Sequence, residues 1–106
     1  MSDYDYDLIV IGAGSGGTRT ARISASYGAK TLVVEGDRAG GTCVLRECIP
    51  KKLLVYASQF SEQVSDAEGF CWHVDGFQSN WSKLIKKKNK ELDRLHEIYV
   101  NLIKNS

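Results

Sequence analysis

The sequence predicts an α/β fold, a parallel βαβ unit followed by helices. Two observations predict it. Aliphatic runs at Leu8-Ile-Val-Ile11 and Thr31-Leu-Val-Val34 flank a glycine-rich turn and a helical stretch, which is the order of a right-handed crossover between parallel strands. Beyond them, apolar residues recur at helical spacing almost to the last residue.

Residues 5–11 end in four aliphatic side chains, the pattern of a strand buried on both faces. Glycines 12, 14, 16 and 17 break that strand. A helix over about 15–27 follows, closed by Gly28 as a C′ residue. Its small residues Thr18, Ala21 and Ala25 share one face, so it can lie close against a sheet. A second buried strand spans 30–35, and 36–42 reads as a loop.

From about 43 to 64 the stripe Leu53, Leu54, Ala57, Phe60 and Val64 marks a helix. Pro50 belongs in its first turn or at a kink, because proline lacks the amide hydrogen needed deeper inside. Residues 65–79 form a connection. The segment 80–104 repeats Trp81, Leu84, Ile85, Leu92, Leu95, Ile98, Tyr99, Leu102 and Ile103, a long amphipathic helix capped by Ser79 or Asn80. The lysine run 86–88 and 90 precedes acids at 91, 93 and 97 and reads as a solvated face.

A length of 106 residues holds one small domain, and 42% hydrophobic with 25% charged residues is an ordinary globular composition. A net charge of +1 argues against an electrostatic nucleic-acid binder. No apolar run can span a bilayer, and the acidic start lacks the apolar core of an export signal. Three cysteines, an odd count, do not make the framework of a secreted mini-protein. A reducing, cytoplasmic compartment is therefore expected, where a close cysteine pair is redox-active or metal-binding more often than structural. Two parallel strands leave exposed sheet edges, so the chain reads as the front of something longer.

Gly12-Ala-Gly14-Ser15-Gly16-Gly17 contains G-x-G-x-x-G between a strand and a helix, with Glu35 ending the next strand. In that context the glycines allow a tight turn, close approach of backbone to a pyrophosphate, and helix–strand packing. The pyrophosphate would meet unpaired N–H groups at the positive end of the helix dipole. A carboxylate at Glu35 accepts ribose hydroxyls and repels a 2′-phosphate, so the adenosine half of FAD or NAD fits, not NADP.

Cys43 and Cys48 lie five positions apart. In an ideal helix their Cα atoms would be roughly 8–9 Å apart, beyond the limit of about 7 Å for a disulfide. The pair can be bridged only where the helix is irregular, and Pro50 offers a reason for irregularity. A strained, accessible bridge has the raised potential of a catalytic disulfide, and Arg46, Lys51 and Lys52 would favour a thiolate. Inert buried cysteines, or zinc held by Cys43, Cys48, Cys71 and His73, are the competing readings. The charged neighbours oppose the first and the ligand spacing the second. Cys71 reads as a small hydrophobe packed beside Phe70 and Trp72.

The two motifs in this order resemble the N-terminal FAD-binding region of the flavin-dependent pyridine nucleotide–disulfide oxidoreductases, over essentially the whole chain. The element G-G-T-C-x-x-x-x-C-x-P is highly specific, and its continuation Pro50-Lys51-Lys52 is similar to the branch that reduces glutathione disulfide. The resemblance implies a partial Rossmann-like unit of a larger, homodimeric flavoenzyme with two dinucleotide domains, and no metal. It implies FAD contacts at Gly12, Gly14, Ser15, Gly16, Gly17, Glu35, Thr42, Cys43 and Lys51, and glutathione contacts at Ser15, Arg22 and Tyr99. Cys43 matches the thiol that exchanges with substrate, Cys48 the thiol against the flavin, and Lys51 the lysine near flavin N5. Arg22 suits a substrate carboxylate.

Glu47 stands where the family has glycine, so a glycine-like backbone there would strain it, and a close approach to flavin would set its carboxylate against the reduced ring. Leu45 replaces the asparagine of many members. A second glycine motif for NADPH and the family's C-terminal His-Glu pair are not among these residues. Neither His73 nor His96 sits in that pair. The implied activity is NADPH-dependent reduction of glutathione disulfide by a full-length parent. The alternatives are a related flavin disulfide or metal-ion reductase, and a truncated or decayed FAD-binding module without turnover.

Overall fold

A computed structural model describes residues 3–106. Met1 and Ser2, which open the acidic stretch weighed above as an export signal, lie outside the described residues. The elements are β1 (Leu8–Ile11), α1 (Ser15–Ser26), β2 (Thr31–Val34), α2 (Gly41–Leu45), α3 (Cys48–Gly69) and α4 (Trp81–Lys104). The two strands pair in parallel, with Leu8 opposite Thr31 and Ile11 opposite Val34. Backbone bonds extend the pairing beyond both ends, from Asp7 N to Lys30 O at 2.8 Å and from Gly12 N to Val34 O at 2.7 Å.

Both strands coincide with the aliphatic runs and are shorter than the expected spans 5–11 and 30–35, and neither is buried on both faces. Ile9, Ile11 and Val34 are exposed, because the two-stranded sheet is covered on one side only. The core is small and lies where α1, α2 and α4 meet the turn after β1. It consists of Ala13, Thr18, Ala21, Ala39, Val44 and Leu92. The small residues on α1 are what allow this approach, as Thr18 and Ala21 are its buried positions.

One long helix over 43–64 is not what forms. The chain makes the short α2, breaks at Arg46 and Glu47, and restarts as α3, which runs on through five residues expected in the connection. Pro50 explains the break. Its ring collides with the carbonyl four residues back in a continuous helix, and that residue is Arg46. In α3 Pro50 is the third residue, where no amide hydrogen is required.

Asn80 caps α4, its Oδ1 accepting from Lys83 N at 2.9 Å. The long helices draw the molecule out to 75 × 25 × 18 Å with a radius of gyration of 20.7 Å, against about 13 Å for a compact chain of this length. Its surface of 8404 Å² likewise exceeds the ~5,900 Å² of a compact globule of this mass. Among the described residues no helix is long and apolar enough to cross a membrane.

Candidate functional site

The turn between β1 and α1 is Gly12-Ala13-Gly14, with no side chain larger than a methyl. Gly14 is the N-cap of α1, with no side-chain cap and no acidic residue in the first turn. The first N–H groups and the positive end of the helix dipole are therefore open to an anion. A Cβ on Gly17 would run into the Gly12 carbonyl, so the third glycine is needed for helix and turn to pack.

Ala13 ties this turn to everything around it. It is 1% exposed, and its N–H donates to Glu35 Oε2 at 2.5 Å. Its carbonyl accepts from Gly40 N at 2.8 Å and from Thr18 Oγ1 at 3.2 Å. The other Glu35 oxygen accepts from Asp37 N at 3.2 Å. The Ala13 N–H above all, and then that of Asp37, hold the Glu35 carboxyl below its ordinary value, against a smaller opposing effect of burial. Glu35 remains exposed at the end of β2, and each oxygen keeps a lone pair for a further donor. These residues fit the ribose and pyrophosphate of a dinucleotide.

The second glycine pair brings the cysteines alongside. Gly41 has φ +71°, and a Cβ on it would lie 2.6 Å from Gly14 Cα. The starts of α1 and α2 thus touch backbone to backbone. The N–H groups of Arg46 and Glu47 both donate to Thr42 O, at 2.8 and 2.9 Å, and turn the chain from α2 into α3. The turn brings the Cα atoms of Cys43 and Cys48 to 4.6 Å, and a disulfide joins the two residues.

Lys51, exposed, lies three positions beyond Cys48 on α3 and shares its face. The Arg46 guanidinium pairs with Asp37 at 2.6 Å. Glu47 has φ −125°, outside the left-handed region, so its backbone conformation does not require glycine.

Ser15 and Arg22, seven apart on α1, are exposed on one face. Arg22 lines a cleft with Ile98, Asn101, Leu102 and Asn105 of α4 and its cap. Tyr99 is half-buried next to Ile98 but does not line that cleft. Cys71 is not packed. It is exposed at φ +66°, between exposed Phe70 and Trp72. His73 pairs instead with Asp75 at 3.1 Å. Among the described residues no three His, Cys, Asp or Glu side chains gather as they would around a metal ion.

Sequence reasoning missed Ala13, Ala39 and His96. His96 Nδ1 lies 2.9 Å from the Ala39 carbonyl, 57 positions away in the chain. Arg38 reaches Asp93 of α4 at 2.8 Å. No local pattern marks contacts of that range.

Residues 6–105 match the family model of pyridine nucleotide-disulphide oxidoreductases. The chain is 53% identical over 106 residues to a glutathione reductase of Burkholderia cepacia, covering 100% of this chain and 24% of that protein. It is 47% identical over 100 residues to a glutathione reductase of a Nostoc species (94% of this chain, 22% of that one). The chloroplastic/mitochondrial glutathione reductase of Pisum sativum is 47% identical over 114 residues (97% and 21%). The chain therefore spans less than a quarter of the length of these relatives.

Proposed function

The chain belongs to the pyridine nucleotide-disulphide oxidoreductase family, and from that premise we propose that residues 1–106 form the N-terminal part of an FAD-binding domain. The full-length parent is then an NADPH-dependent reductase of glutathione disulfide that maintains thiol redox balance as a cytoplasmic homodimer. One observation carries this reading: the bridged Cys43–Cys48 pair stands against the glycine turn through the Gly41–Gly14 contact. The relatives' names support the choice of disulfide substrate.

Gly12, Gly14, Ser15, Gly16, Gly17, Glu35 and Thr42 would hold FAD, and Lys51 would lay a cation beside its ring. When bound, FAD would supply the two electrons, drawn from NADPH, that convert the Cys43–Cys48 disulfide into a pair of thiolates. The Cys43 thiolate attacks the substrate disulfide, forming a mixed disulfide and releasing one glutathione thiolate. The Cys48 thiolate then attacks the Cys43 sulfur, re-forming the bridge and releasing the second. Arg22, with Ser15 and Tyr99, would orient glutathione by its carboxylate and polar groups.

Steady-state assay of the full-length parent with NADPH and glutathione disulfide tests the reading. Turnover that disappears in Cys43→Ser is expected; retained turnover in that variant would sink it. Residues 1–106 assayed alone with FAD should give no NADPH-dependent reduction. A nicotinamide site is needed to position hydride, and acid–base assistance contributes about 10²–10⁴-fold.

A further inference from the structure

We propose that His96 is a positioning residue for the redox pair, orienting from α4 the peptide that seats α2 against the glycine turn. The inference rests on the redox reading of Cys43 and Cys48. A carbonyl oxygen can only accept, so His96 Nδ1 carries the hydrogen in its 2.9 Å contact with Ala39 O. The same peptide unit carries the Gly40 N–H, which donates to Ala13 O at 2.8 Å. A peptide is planar. One rigid plate is thus held from both edges, by α4 at its oxygen and by the glycine turn at its nitrogen.

The plate needs that hold because two glycines succeed it in the chain. Gly40 and Gly41 have φ +123° and +71°, and glycines in such conformations put up little resistance to rotation of the peptide before them. Its orientation sets where α2 begins, hence where Cys43 stands relative to Cys48 at the start of α3. Ala39 is buried and its contact with His96 is part-buried, so water has limited access to replace the imidazole as donor. The neighbouring Arg38–Asp93 pair, at 2.8 Å, is exposed on both sides and holds the segment weakly.

With His96 removed, the two thiols spend less time at bridging distance and the disulfide loses stability relative to the dithiol. Residues 1–106 and their variants are equilibrated in mixtures of reduced and oxidised dithiothreitol, and the oxidised fraction is read by alkylation and mass. His96→Leu should shift the midpoint ratio toward the dithiol by about three- to tenfold, the worth of one hydrogen bond. His96→Asn, whose Nδ2 takes the place of Nδ1, should return it to within about twofold of the native value. If circular dichroism shows His96→Leu unfolded, His96→Gln replaces it. Its amide lies where Nε2 was, cannot reach Ala39, and should shift the midpoint as leucine would. An unshifted midpoint in the donor-less variant, or an asparagine variant shifted as far as it, overturns the inference alone. A native pair that does not cycle at all overturns the redox reading and the inference together.

Discussion

The Ala13 N–H donates to Glu35 Oε2 at 2.5 Å, so the carboxylate placed to receive a ribose also holds the glycine turn. Because that bond favours the ionised form, the Glu35 pKa is lowered from its ordinary 4.5. A lowered folded-state pKa gives stability that is complete above the unfolded value and lost as pH falls through the folded one. Glu35→Gln should therefore be less stable than the native chain at neutral pH, and the gap should close below about pH 4.5. Thermal melts of both proteins across that range check it; a gap that is constant with pH would refute it. The group is exposed, so the gap should also shrink with added salt.

Gly41→Ala meets two obstacles, a φ of +71° and a Cβ 2.6 Å from Gly14 Cα. A loss of about 2 kcal/mol or more is expected from the backbone conformation and the displaced turn. Gly16→Ala is the control, since nothing lies within 4 Å of its Cβ and its φ is ordinary. It should cost nothing in urea unfolding, whereas Gly41→Ala should lower the midpoint clearly.

Cys48→Ser leaves Cys43 without its bridging partner. On residues 1–106 treated with glutathione disulfide, Cys43 should form a mixed disulfide that persists, because no neighbouring thiol resolves it. Cys71 is exposed and also reacts, so the experiment is done on Cys48→Ser with Cys71→Ser. Intact mass that shows no glutathione adduct would count against Cys43 as the exchanging thiol.

Arg22 lines an open cleft beside α4. In the full-length parent, Arg22→Ala should raise KM for glutathione disulfide by about tenfold or more, the worth of a charge-assisted bond, with less effect on kcat. Arg22→Lys should restore only part of it, since an ammonium lacks the two-pronged geometry. Steady-state kinetics decide; an unchanged KM would remove Arg22 from the substrate site.

The order strand, glycine turn, helix, strand, the placement of Glu35 past β2, and a helix cap at Ser79 or Asn80 were determined by the sequence alone. Each depends on residues within one turn or one pleat of one another, where periodicity and φ/ψ preference act. The bridging of Cys43 and Cys48 was half legible. Pro50 announced an irregularity, but where the break would fall depended on its reach back to Arg46 and on both N–H groups turning to Thr42 O. Only the tertiary structure decided that Ala13 links the turn to Glu35 and Gly40, that His96 holds Ala39, and that Arg46 pairs with Asp37. The Ala13 and Ala39 bonds join distant segments through backbone groups that every residue possesses, so no residue type records them, and the Arg46–Asp37 pair is one of many pairings the charged residues allow. The bare strand face at Ile9 and Ile11 was undetectable for the same reason. An aliphatic run states that a side chain avoids water, and only the neighbouring elements state whether anything covers it.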